Sequence, residues 1–136
     1  MQNLIEQIKI ICQNLGYEFY FGAKREINSR LKGLPAAWME LPAIKQVEGR
    51  TMGSVTYSVS MYLMCLMDEK RQFSQTMELE NNALALYSNL VLCESVREVS
   101  EVETEVDFMI FPPLGEASIH LEFEVIMDFN AKTSER

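Results

Sequence analysis

The sequence holds a single histidine, His120, and only three cysteines, Cys12, Cys65 and Cys93. No two cysteines share a CxxC spacing, and one histidine cannot complete the shell of a structural zinc. Each cysteine sits among apolar neighbours, so three reduced core thiols are expected, with no metal site, as suits a cytoplasmic chain. Basic residues are scarce as well: 12 Lys and Arg face 20 Asp and Glu, for a formal charge of −8. That argues against nucleic acid or anionic lipid as a partner of the whole surface and leaves room only for a local basic patch. No apolar run reaches the length of a membrane span; the longest, Met61 to Met67, fits a strand. The start, MQNLIEQIKIICQNLGY, lacks a basic n-region, a continuous apolar stretch and a small-residue cleavage site, so no secretory signal is expected. No Gly-rich phosphate loop precedes a helix, and no Ser/His/Asp arrangement is visible. The expectation is a protein that is not an enzyme and carries no cofactor.

What is present is enough for one packed domain. Hydrophobic residues make up 48% of 136, so a real core can form. A single domain over 1–136 is expected, with a polar, frayed tail from about 130. Leu4, Ile5, Ile8, Ile11, Cys12 and Leu15 follow helical spacing, and Gly16 supplies a stop, so residues 2–15 read as an amphipathic helix. Residues 22–35 are irregular and hold Lys24, Arg25, Arg30 and Lys32. "AAWMEL", 36–41, reads as a short strand ended by Pro42, and 43–53 as a mobile loop or a long hairpin arm. "SVTYSVSMYLMCLM", 54–67, reads as a long strand that starts half-exposed and runs into the sheet centre. Ser74 or Thr76 can cap a second helix over 76–92, whose stripe is Leu79, Ala83, Leu86, Tyr87, Leu90 and Val91. Two strands follow, at about 96–111 and 117–129, joined by a turn at "FPPLGEA". The order α-β-β-α-β-β implies an α+β two-layer sandwich, two helices on one mostly antiparallel sheet.

"EVETEVDFMIF", 101–111, carries the sharpest pattern. Val102, Thr104, Val106 and Phe108 take one parity; Glu101, Glu103, Glu105 and Asp107 take the other. Pairing Phe108 with Ile119, Val106 with Leu121, Thr104 with Phe123 and Val102 with Val125 sets apolar against apolar. It then sets Glu105 against Glu122, Glu103 against Glu124 and Asp107 against His120. A one-residue slip would flip a face, whereas a two-residue slip keeps the parity. Opposed like charges are unfavourable by up to ~1 kcal/mol a pair, so this acidic face calls for a reason. Three readings stay open: a solvated face, a basic patch on another subunit, or a wall that repels nucleic acid. A catalytic or metal role would need a concave pocket, which a flat strand face does not offer.

Other residues bear on contacts. Most of the methionines (39, 61, 64, 67 and 77 among them) read as core, but Met52 lies in the Gly-flanked "EGRTMGS" and could anchor a neighbour. Trp38 reads as packing one end of the sheet, with an interface as the alternative. Lys24, Arg25, Arg30, Lys32 and Arg50 are further candidate contacts, since a basic segment docking on a neighbour's acidic face would build a ring.

The order of elements over 2–129, with "LPAAWMELPA", a loop with glycines, and "VTYSVSMYLMCLMDEKRQ" feeding a helix, resembles the tail-terminator and neck (head-tail joining) proteins of tailed bacteriophages and prophages. The resemblance implies a structural, non-enzymatic subunit of a homo-oligomeric ring, commonly a hexamer, that joins or caps the tail tube. It implies partners among other tail or neck proteins, and a location in the virion after assembly in the bacterial cytoplasm. DNA would pass through the ring without specific binding, and no membrane is involved. Glu101, Glu103, Glu105, Asp107, Glu122 and Glu124 would then face a lumen or an interface. The alternative is a small cytoplasmic ferredoxin-like domain for ligand binding or dimerisation.

Overall fold

A computed structural model of the chain describes residues 1–49, 52–108 and 115–130. In chain order the elements are α1 (Gln2–Asn14), β1 (Glu18–Phe21), α2 (Ile27–Arg30), β2 (Ala36–Met39), β3 (Ala43–Gly49), β4 (Met52–Leu66), α3 (Gln72–Val91), β5 (Val96–Val99), β6 (Glu103–Phe108) and β7 (Glu116–Asn130). Among the described residues this makes three α-helices and seven strands in one mixed sheet. The expected sandwich of two helices on a four-stranded sheet is therefore wrong. A large sheet dominates, and both of its faces carry packed segments.

The sheet is organised on two fifteen-residue strands, β4 and β7, paired antiparallel along their whole length. On the far side of β4 lie β2, against residues 61–64, and β3, against 53–58. On the far side of β7 lie β5, against 125–127, and β6, against 117–122. β1 closes one side by pairing parallel to β2. Each outer column is thus one path interrupted midway. Pro42, which has no N–H to give a ladder, falls in the gap between β2 and β3. Ser100 bridges the gap between β5 and β6: its N–H donates to the Glu124 carbonyl at 2.9 Å, and its hydroxyl accepts from the Glu124 N–H at 2.8 Å.

Alternation sends odd residues of β4 and β7 to one face and even residues to the other. The odd face carries the main core, in which Val59, Met61, Leu63, Ile119, Leu121 and Val125 meet Leu4, Ile8, Cys12, Leu79, Leu86 and Leu90 of α1 and α3. Gly16, at φ 93°, ends α1 as expected. α3 begins earlier than the expected 76, and neither Ser74 nor Thr76 caps it. A 3₁₀ turn at Glu69–Arg71 leads in, capped by Asp68, whose side chain accepts from the Lys70 N–H at 3.0 Å. Buried Gln75 ties the helix to the end of β4, donating to the Leu66 carbonyl at 2.7 Å and accepting from the Asp68 N–H at 2.9 Å.

A second, smaller core lies on the even face. Ile27 and Leu31 cover Ala36, Trp38, Tyr62 and Met64 there. This cover is the irregular segment 22–35, which shows no helical period in sequence because α2 is only four residues long. β1 escapes sequence reading for the same reason.

β3 and the first half of β4 form a hairpin arm, the second of the two forms expected for 43–53. All seven residues of β3 are exposed, and a bulge at Lys45 shifts its register. Near the tip Gly49, at φ 91°, opposes Gly53. A Cβ at Gly53 would run into the backbone carbonyl of Glu48. Gly53→Ala is expected to open the pairing of residues 48–54 and speed amide exchange along β3, while the melting midpoint of the core moves little. Unchanged exchange in β3 would contradict this. Arg50, most of the turn at 111–117 and nearly all of the polar tail lie outside the described residues.

Candidate interaction face

The even face beside the small core is where the acidic residues gather. Its register differs from the expected one by two residues. Val106 opposes Ile119, Thr104 opposes Leu121, and Phe108 opposes Ala117. The parity stands, but Glu103 faces Glu122, Glu105 faces His120, and Asp107 faces Ser118. One directly opposed carboxylate pair remains in place of two. Val125, expected opposite Val102, pairs with Val99 in β5. Along this edge the pairing also steps twice between β5 and β6. Val96 and Val99 are both buried although three residues apart, which strict alternation forbids, and the irregularity between Val96 and Glu98 absorbs the extra residue. The break at 100–102 absorbs another.

Glu124 lies across from Ser58, and its carboxylate accepts from the Lys45 ammonium of the arm. Glu101 lies in the break before β6, exposed, rather than on the strand. Between the arm and this break runs an open groove of about 610 Å³, into which Glu40, Glu101, Glu103, Glu122 and Glu124 turn, with Lys45 as the cation among them. Among the described residues, no group of three or more His, Cys, Asp or Glu is arranged to hold a metal ion. At Arg97 and Asp128 a further ion pair, 2.6 Å, ties β5 to β7.

His120 is the face's one imidazole. Its ring stacks on Tyr62 at 4.5 Å between centroids, and Nε2 lies 2.7 Å from the Ser60 hydroxyl. The Ser60–His120 contact was not visible in sequence, because it depends on the β4–β7 register across sixty residues. Glu122 approaches the same ring nitrogen, at 3.6 Å, and not the opposite one. A Ser-His-acid triad needs the acid on the nitrogen facing away from the serine. The contact is a cross-strand hydrogen bond on a sheet face. Lys24 stands over the other side of this cluster, 5.6 Å from the Tyr62 ring centre, and hydrogen bonding to Tyr62 holds its ammonium above the ordinary lysine value.

The other basic candidates divide. Arg30 is used within the chain: it donates to the Phe21 carbonyl at 3.0 Å and to Glu26 at 3.1 Å, and lies 5.2 Å from the Trp38 ring centre. Trp38 is wholly buried, its indole N–H donating to the Gly22 carbonyl at 3.1 Å, so it offers no surface to a neighbour and belongs to the core. Arg25 and Lys32 are exposed. Met52 opens β4, its backbone paired with Asn130.

Two apolar surfaces went unread in sequence. On the arm, Leu41, Ile44 and Val47 are 61%, 58% and 51% exposed. Along α3, Phe73, Met77, Leu84 and Val91 recur at intervals of 4, 7 and 7 on a flank turned away from its core stripe, with Phe73 79% exposed. That recurrence is legible in the sequence once the core stripe is assigned. Between this flank and β6 lies an open cleft of about 430 Å³, lined by Ala83, Leu84, Tyr87, Val102, Thr104 and Ile119. Neither the known family models nor the curated proteins give a match to this chain.

Proposed function

We propose that this chain is a structural subunit of a homo-oligomeric ring, of the kind that joins or caps the tail tube in tailed bacteriophages and prophages. The observation that carries the reading is the hairpin arm. A seven-residue strand with every residue exposed, bearing Ile44 and Val47, stands on the outer side of a sheet that is otherwise well packed. A lone monomer gains little from keeping apolar side chains on such an edge, whereas a subunit uses them against its neighbour. The acidic face supports the same reading from the other side. A wall of carboxylates lets DNA pass without the phosphate contacts that would hold it.

Light scattering across a concentration series is expected to show a species of several subunits, and a strict monomer at all concentrations that also fails to join a tail tube would overturn the reading. Glu103→Lys with Glu105→Lys is expected to leave the melting midpoint within a few degrees, because both side chains are exposed. Unfolding on that change would mean the face packs against something. The cleft beside α3 favours a second reading, a small-ligand domain, which predicts a ligand-dependent rise in melting temperature.

A further inference from the structure

We propose that the outer edge of β3 in one copy pairs antiparallel with the outer edge of β6 in the next, so that copies join head to tail through one continuous sheet. The inference rests on the ring reading and names its interface. Among the described residues, β3 pairs only with β4 and β6 only with β7. Each therefore presents a row of unused backbone donors and acceptors, and the two rows lie on opposite sides of the same sheet.

Strand direction fits. β3 runs antiparallel to β4, β4 to β7, and β7 to β6, so β3 and β6 run in opposite directions within one subunit. β3 lies level with residues 124–129 of β7 and β6 with residues 117–122, so two copies in the same orientation, one displaced along the strands by about seven residues, bring these edges together antiparallel with no copy turned over. Such a contact is heterologous, and it closes into a ring when the rotation between copies allows. The strands also match in length, at seven and six residues.

The faces fit too. Ile44 and Val47 pair with Tyr57 and Val55, which places them on the helix side of the sheet. In the joined sheet they meet the helix side of β6, where Thr104 and the exposed Leu84 of α3 border the open cleft, whose lining also includes Glu80. On the other side, Lys45, which pairs with Glu124 of its own chain, comes beside Glu103 and Glu105 as further carboxylates. Self-pairing is disfavoured by comparison. Joining β6 to its own copy would bring Glu103, Glu105 and Asp107 against the same three carboxylates. Joining β3 to β3 would leave the cleft uncovered.

The test uses two variants of the full chain. Ile44→Asp with Val47→Asp blocks the β3 edge; Leu84→Asp with Thr104→Asp blocks the β6 side. All four positions are exposed, and circular dichroism checks the fold. In size-exclusion chromatography with light scattering, each variant alone is expected to need at least roughly tenfold more protein to assemble. An equal mixture is expected to form dimers and nothing larger, because one intact pair of edges remains between unlike copies. A second probe does not depend on apolar positions: Lys45→Glu weakens assembly, and adding Glu105→Lys in the same chain restores it. Either blocked variant assembling like the unaltered chain would overturn the edge pairing and leave the ring reading standing, as would a mixture that stays monomeric. A monomeric unaltered chain would overturn both.

Discussion

Replacing Trp38 with alanine is expected to lower stability by about 4 kcal/mol, the range for emptying a buried aromatic site. In a domain of this size that corresponds to a fall in melting temperature of roughly 10–20 °C. Several contacts converge on the indole. It is wholly buried, stacks on Tyr20 at 6.0 Å between centroids, and lies under the Arg30 guanidinium. Its N–H satisfies the Gly22 carbonyl, so truncation orphans a buried acceptor as well as leaving a void. Trp38→Phe keeps most of the volume and is expected to cost only ~1–2 kcal/mol, chiefly through that lost hydrogen bond. Thermal unfolding followed by circular dichroism reads both. Because this core lies on the even face, away from α1 and α3, a near-silent Trp38→Ala would mean that the 22–35 segment does not hold the sheet.

Alkaline pH is expected to unfold the chain by way of two buried groups that must give up their protons. Burial pushes the Cys12 thiol from an ordinary value of 9.0 up to about 12. Burial likewise pushes the Tyr17 phenol from 10.0 up to about 12, against the opposing pull of a hydrogen bond from Asn82 at 2.8 Å. In both groups the folded state holds its proton where the unfolded chain releases it. Their contribution is therefore fully present below pH 9 and is lost as pH rises towards 12. At about 1.4 kcal/mol per pKa unit, the rises from 9.0 and from 10.0 to about 12 together withdraw on the order of 7 kcal/mol over that window. A domain's whole stability is commonly ~5–15 kcal/mol, so the loss is decisive. Urea unfolding at stepped pH measures it. The double variant Cys12→Ala, Tyr17→Phe is expected to start less stable at pH 8 and to flatten the alkaline fall. A profile for the unaltered chain that stays level from pH 8 to 11.5 would contradict the account.

The sequence made some of this architecture legible and hid the rest for physical reasons. α1 and α3 could be read because each buries a full helical stripe, and that periodicity survives any neighbour. β4 and β7 could be read because each alternates over many residues. β1 and α2 could not, since four residues carry no period, and their existence depends on Trp38 and Tyr62 needing cover. The parity of β6 was fixed by its own alternation, but its register was not. A two-residue slip leaves every apolar residue on the same face, so alternation alone could not choose between the registers. The acidic face was therefore found in sequence, while its partners were misassigned. Glu105 meets His120, and Glu124 meets Lys45 from the arm. The exposed flank of α3 was overlooked because the core stripe of the same helix accounts for its fold.

Native mass spectrometry of the unaltered chain under gentle ionisation tests the central claim most directly. Edge pairing between identical copies that closes on itself predicts one dominant stoichiometry of several subunits, present without a ladder of larger and smaller species. A monomer persisting at every concentration would contradict it.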